Sequence, residues 1–273
     1  PVAGYPLRGF LWYQGESNAG RAYEYNHLFP LMIQHWRDEW RQGDFSFYWV
    51  QLADYKPEQP QPGDSDWAEL REAQTKTMSL LKNTGQAVIT DLGESNDIHP
   101  RNKRDVAERL ARWALVKDYG LKLPHRSPEL KQVKFEGGKV LVTVDCFGSS
   151  LRTVDTSDAR GFAVCGDDRK WAWAEAKIIG NDSIEVHSKS VAKPVAVRYA
   201  WADNPVCNVP SRAGLPLTPF RSASFPMISK TNPEKAAALV KLAEARRQQT
   251  EARKKQAEEI RKARAAPKPV EKK

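Results

Sequence analysis

No long uninterrupted apolar run occurs in the 273 residues, so no segment reads as a transmembrane helix. No charged-then-apolar leader follows Pro1. Cysteine is scarce. Cys146, Cys165 and Cys207 contain no CxxC pair, which excludes a closed disulfide framework and the spacing of a zinc site. They read as buried free thiols, with one disulfide plus one free thiol as the alternative in an oxidising compartment. The body of the chain also lacks an excess of positive charge. Of 43 Lys and Arg and 34 Asp and Glu, the stretch from Lys230 to Lys273 holds 14 and 6, leaving 29 and 28 elsewhere. All but one unit of the net charge of +9 therefore belongs to the tail. With no aromatic residues interleaved in that tail for stacking on bases, no nucleic-acid partner is expected.

What is present is the composition of a globular protein of one large or two ordinary domains, with nine Trp to fill a core. Residues 8–14 read as a strand. Tyr23 to Trp40 reads as an amphipathic helix, because Leu28, Leu31, Met32, His35, Trp36 and Trp40 recur at helical spacing. Phe45 to Ala53 reads as an aromatic-rich strand, followed by a Pro-rich loop over residues 56–66. Asp66, with Glu69 at the capping-box position, opens a second helix. Gln86 to Asp91 reads as a third strand, and Asn102 to Tyr119 as a third helix stopped by Gly120. Strand-helix alternation predicts an α/β layer with a parallel sheet. Three strands are fewer than the usual five or six or so, which leads us to expect that the front of the domain is absent.

From about Ser127 short strands alternate with turns: Leu130–Glu136, Val140–Asp145, Gly161–Val164, Trp171–Ile179, Ser183–Ser188 and Val195–Ala202. They predict a small antiparallel β-sandwich ending in a Pro-rich segment. The expected organisation is an α/β part over 1–124, a sandwich over 125–229, and a basic tail over 230–273 that is a solvated helix or disordered. No heptad seam is sustained in that tail, and Ala266-Pro267-Lys268-Pro269 reads as a flexible or polyproline segment.

Two polar turns follow apolar strands, where α/β sheets place ligand sites. In the first, Gln14, Gly15 and Asn18 offer N–H donors suited to an oxyanion, with Glu16 among them. In the second, Asp97 stands two residues before His99, a pairing suited to a general base and its orienting acid. The same residues also read as a polar strand end and as a turn capping the helix that Pro100 opens. Three sequence blocks carry a resemblance: Trp12-Tyr13-Gln14-Gly15-Glu16-Ser17-Asn18, Trp67-Ala68-Glu69-Leu70-Arg71-Glu72-Ala73-Gln74, and Asp91 to Pro100. With Val197 to Pro205, Gly214-Leu215-Pro216 and Pro219-Phe220-Arg221, they resemble the sialate O-acetylesterases and related carbohydrate acetylesterases of the SGNH-hydrolase superfamily.

The resemblance implies a partial α/β/α parallel-sheet domain followed by the sandwich. It further implies a serine-type carboxylic ester hydrolase acting on O-acetylated carbohydrate, no metal or cofactor, and an extracytoplasmic location. His99 becomes the base and Asp97 its acid, with Glu94 or a backbone carbonyl as alternatives because Asn96 occupies the position three residues before the histidine. Gln14, Gly15 and Asn18 become oxyanion donors and Glu16 organises their turn. The family's nucleophile lies in a Gly-Gln-Ser-Asn type motif upstream of the Gln-Gly-Glu block, and no such motif precedes Trp12. Gly63-Asp64-Ser65 and Gly15-Glu16-Ser17-Asn18 are out of order for that role. The expectation is a nucleophile on a missing segment and a fragment that hydrolyses nothing by itself. Two rival readings are an inert carbohydrate-binding or scaffolding protein whose Trp171, Trp173 and Trp201 contact sugar, and a basic-tail adaptor for an anionic polymer. The oligomeric state is not legible.

Overall fold

The computed structural model describes residues 4–230 and 233–265. Strands β1 (Gly9–Trp12), β2 (Ser46–Val50) and β3 (Thr84–Ala87) form a parallel sheet in the order β1-β2-β3, with Gly9 opposite Ser46 and Phe47 opposite Thr84. Helices α1 (Ala22–Trp40), α2 (Asp66–Leu80) and α3 (Lys103–Lys117) are the crossovers and the closing element. Side chains alternate across the pleat. Phe47 and Trp49 therefore join Phe29, Ile33 and Leu70 from α1 and α2, while Tyr48 and Val50 join Val106, Leu110 and Trp113 from α3. The middle strand is buried on both faces, giving the three-layered α/β arrangement expected. The outer edge of β1 has no partner among the described residues, and Leu11 on it is 63% exposed.

Element boundaries differ from expectation where a local side chain decides them. Helix α2 is capped by Ser65, whose extended backbone lets Oγ accept from Ala68 N at 2.9 Å. Asp66 is already helical, and Glu69 reaches away from the cap. It accepts from Ile228 N, Ser229 N and Ser229 Oγ, so it ties down the end of the sandwich. The third strand pairs only over Thr84–Ala87, and the chain then runs buried through Val88 and Ile89 to a turn closed by Leu92 N donating to Ile89 O.

Strands β4 (Glu129–Glu136), β5 (Lys139–Asp145), β6 (Phe162–Cys165), β7 (Trp171–Trp173), β8 (Glu175–Ile178), β9 (Ser183–His187), β10 (Ala196–Tyr199) and β11 (Phe220–Arg221) form two four-stranded antiparallel sheets, β4-β5-β9-β8 and β11-β10-β6-β7. Val140, Val142, Ile184 and Val186 of one meet Phe162, Val164, Val197 and Tyr199 of the other. The single strand expected over Trp171–Ile179 is two. At Ala174, whose N–H donates to Phe162 O, the chain leaves one sheet and enters the other. All three cysteines are free, Cys146 and Cys165 buried and Cys207 half-buried.

The tail takes the helical alternative as α4 (Pro233–Ala265). It docks on α1 rather than standing free in solvent. Arg246 lies 3.4 Å from Asp38, Thr250 Oγ1 donates to Asp38, and Lys254 Nζ bonds Asp44 at 2.8 Å. Charge complementarity supplies what its few apolar residues do not. The Ala-Pro-Lys-Pro segment lies outside the described residues. No helix of the described residues is long and apolar enough to cross a membrane.

Candidate active site

Both polar turns stand at the carboxyl edge of the parallel sheet. At the first, the chain leaves β1 through Tyr13 and Gln14 into a short 3-10 helix over Glu16–Arg21. Gly15 is needed there because a Cβ would meet Leu70 Cδ2 at 2.8 Å and Leu52 Cδ2 at 3.1 Å. Gln74 of α2 holds the turn. Its Nε2 donates to Gln14 O at 3.4 Å while its Oε1 accepts from Leu52 N at 3.0 Å. The Tyr25 hydroxyl donates to Gln14 Oε1 at 3.3 Å, and Gln14 Nε2 in turn donates to Asn18 Oδ1 at 2.7 Å. Burial above all, with the nearby Glu16 carboxylate, raises the Tyr25 pKa, so the hydroxyl keeps its proton for that bond. The relay orients the Asn18 amide with Nδ2 left unpaired among the described residues. Glu16 is half-buried and makes no side-chain hydrogen bond among the described residues. Its charge bears on Tyr13, whose pKa burial pushes up to about 12 with help from Glu16 and Asp54.

The second turn is braced along its length. Arg109 of α3 binds Asp91 with two bonds of 2.6 and 2.7 Å and also donates to Val88 O. Gly93 N donates to Asp54 Oδ1 at 2.6 Å, and Gly93 is packed so close to Asp54 that a Cβ would collide with its carbonyl. Lys56 N donates to Ser95 O, and Glu94 accepts from Arg101 N at 3.1 Å. Ile98 packs into the apolar cluster between sheet and α1/α2. From this braced loop His99 projects, its side chain 85% exposed. Asp97 Oδ1 accepts from His99 N at 2.9 Å and lies 3.8 Å from His99 Nδ1, facing the ring without bonding it. Of the alternative acids, Glu94 is engaged by Arg101 rather than by His99.

The two tempting serines behave differently. Ser17 is exposed on the 3-10 helix. Ser65 is buried, spends its hydroxyl on Asp203 Oδ1 at 2.5 Å and accepts from Ala68 N, so its geometry is that of a structural cap.

Asp54 is the site residue that sequence reasoning missed. It ends the middle strand's run Gln51-Leu52-Ala53, where a carboxylate at a strand's carboxyl end was a usable signal. Burial raises its pKa, opposed by the Gly93 N–H and Arg71. It touches the histidine loop directly and bears electrostatically on Tyr13 of the other wall. Lys103, at the start of α3, lies 5.2 Å over the Tyr13 ring and links the walls from the opposite side. No group of three or more His, Cys, Asp or Glu side chains converges to hold a metal among the described residues.

Residues 2–115 match the family model described as carbohydrate esterase, sialic acid-specific acetylesterase. The human sialate O-acetylesterase is 31% identical over 248 residues, covering 81% of this chain and 46% of the human protein. The Mus musculus sialate O-acetylesterase is 30% identical over 227 residues, covering 75% of this chain and 41% of its own length. The chain thus spans a little under half the length of these relatives. A solved structure of a carbohydrate acetylesterase from Xanthomonas citri superposes with a TM-score of 0.78 at 42% identity, over 82% of this chain and 52% of that one. Sequence and fold agree, and the chain belongs to the carbohydrate acetylesterase family that contains the sialate O-acetylesterases.

Proposed function

We propose that this polypeptide is the base-and-oxyanion part of a carbohydrate O-acetylesterase that removes acetyl groups from sugars, sialic acids among them, by serine-type acyl transfer. The observation that carries the reading is His99 held out on a loop braced at Asp91, Gly93, Ser95 and Glu94, at the same sheet edge as the Gln14-Asn18 turn. His99 Nε2 takes the proton of the attacking hydroxyl and returns it to the departing sugar oxygen. Asp97 steadies the resulting imidazolium, and its 3.8 Å approach shortens when substrate binds. Gly15 N–H and Asn18 Nδ2 donate to the oxyanion. Gln14 acts through Asn18, relaying the Tyr25 bond rather than spending its amide on substrate. Water then attacks the acyl-enzyme and releases acetate.

Neither Ser17 nor Ser65 is the nucleophile in this reading. It is contributed by polypeptide outside this sequence that adds to the open edge of β1, where a parallel strand would cover Leu11. The intact enzyme acts outside the cytoplasm, as the resemblance implies. Acetate release from an O-acetylated sialoside by the whole enzyme, compared with its His99→Ala variant, tests the reading. A drop of about 10²–10⁴ in kcat is expected. The 273-residue chain by itself is expected to give no turnover and no labelling by a serine-directed phosphonate. Serine-inhibitor-sensitive turnover by that chain, lost in Ser17→Ala or Ser65→Ala, would overturn the assignment of the nucleophile.

A further inference from the structure

A cleft of about 490 Å³, whose lining does not include His99, opens on the sandwich between the β7–β8 edge and the Pro-rich loop. Its one large aromatic wall is Trp173, 42% exposed, whose indole N–H donates to Pro60 O at 3.0 Å. That bond fixes the ring plane, and a fixed, half-exposed aromatic face is a platform for the C–H face of a pyranose. Val206, 46% exposed, adds apolar surface, and Ala159, Phe162 and Ala176 line the cleft from the sandwich core.

The rim carries both signs of charge in an ordered way. Ala159 bridges Ala176 in antiparallel fashion, its N–H donating to Ala176 O at 2.9 Å, and both side chains enter the core. The neighbours therefore point outward together, Asp158 opposite Lys177 and Arg160 opposite Glu175, and all four line the cleft, where Arg160 also lies 3.7 Å from Asp155 and Glu175 lies 3.5 Å from both His187 and Lys189. An acceptor beside a donor, repeated once, matches vicinal hydroxyls, each of which donates one hydrogen bond and accepts others. The balance of charge gives an acidic group no preference.

We propose that this cleft is a second carbohydrate site, which takes a neutral sugar unit stacked on Trp173 with its hydroxyls bound by Asp158, Lys177, Arg160 and Glu175. The segment from Asp54 to Pro60 joins the histidine loop to this platform and spans at most roughly 20 Å. The unit held here need carry no ester. Binding here is independent of the chemistry at His99, so esterase failure and binding failure are separate results.

The test is saturation-transfer NMR and tryptophan fluorescence of the 273-residue chain with neutral disaccharides free of esters: lactose, cellobiose, xylobiose and diacetylchitobiose. At least one is expected to bind with Kd on the order of 1 mM. Trp173→Ala is expected to weaken it at least about tenfold, whereas Tyr119→Ala, an exposed aromatic beyond α3, leaves it unchanged. Should Trp173→Ala melt early, the double variant Asp158→Asn with Lys177→Met carries the test, with a similar loss expected at unchanged melting temperature. No binding by any of the four, equal loss with Tyr119→Ala, or undiminished binding in the cleft variants overturns the proposal. With sialylated lactose as a fifth, charged probe, binding confined to it would also overturn the proposal, since it would mean recognition of charge.

Discussion

Replacing Arg71 by Met should loosen the sandwich from the α/β layer. The guanidinium is fully buried and donates to four carbonyls: Leu52 O at 2.8 Å, Ala53 O at 2.6 Å, Ala202 O at 2.6 Å and Asp203 O at 2.9 Å. Two of these keep a second donor, since Ala53 O also accepts from Trp67 Nε1 and Asp203 O from Tyr55 N. Leu52 O and Ala202 O have no other partner among the described residues. An orphaned buried carbonyl costs about 1–3 kcal/mol, and a redundant bond about 0.5–1.5 kcal/mol. Methionine's apolar contacts offset part of the sum. The net loss expected is about 4 kcal/mol. Urea unfolding at 25 °C, followed by tryptophan fluorescence and by circular dichroism, reads it. The two probes should coincide for the parent chain and separate for the variant as the halves uncouple. Arg71→Lys should lose nearly as much, because one ammonium cannot span four carbonyls on two segments. A loss below about 1 kcal/mol with both probes still coincident would refute the reasoning.

Four smaller tests address the site and the tail. Gly93→Ala drives a methyl into the Asp54 carbonyl, so a loss of about 1–3 kcal/mol in the same unfolding experiment is expected, with kcat of the whole enzyme falling as the histidine loop shifts. Tyr25→Phe frees Gln14 and should lower kcat about tenfold while KM changes little, measured on an acetylated sialoside. Helix α4 should undock on acidification. Burial, then Arg247, holds the His27 pKa below its ordinary 6.5, against the opposing Glu244, so the undocked state binds the proton first. Docking is strongest above 6.5 and weakens as the pH falls through the lowered value, and trypsin cleavage within α4 at pH 7.5 and 5 with added salt would follow it. Removing residues 233–273 should leave hydrolysis by the whole enzyme unchanged.

Much of the framework was legible because it rests on local periodicity. The helical spacing of Leu28, Met32 and Trp36 announces α1, although its buried residues include Tyr25, Phe29 and Ile33 instead, and the aromatic run announces strand β2. What escaped depends on partners distant in sequence. Nothing near Arg71 in the sequence reveals that Ala202 and Asp203 will cover it. The break at Ala174 is silent because its alternation continues across the change of sheet. At the site, the turns were visible as polar interruptions after apolar strands, but not the division of labour within them. That Gln14 serves Asn18, and that Asp54 holds the histidine loop, emerges only when Tyr25 and Gly93 are brought alongside.

The span of the Arg71 bonds also bears on when the protein becomes native. Ala202 and Asp203 emerge from the ribosome roughly 130 residues after the helix that needs them, a separation of 131 and 132 in the chain. Contacts that distant form late, because loop closure must be overcome before they contribute. During synthesis the α/β layer therefore waits with its guanidinium bonded only to Leu52 and Ala53 until Ala202 and Asp203 arrive. The slow step of folding is expected to be the closing of the second half onto the first.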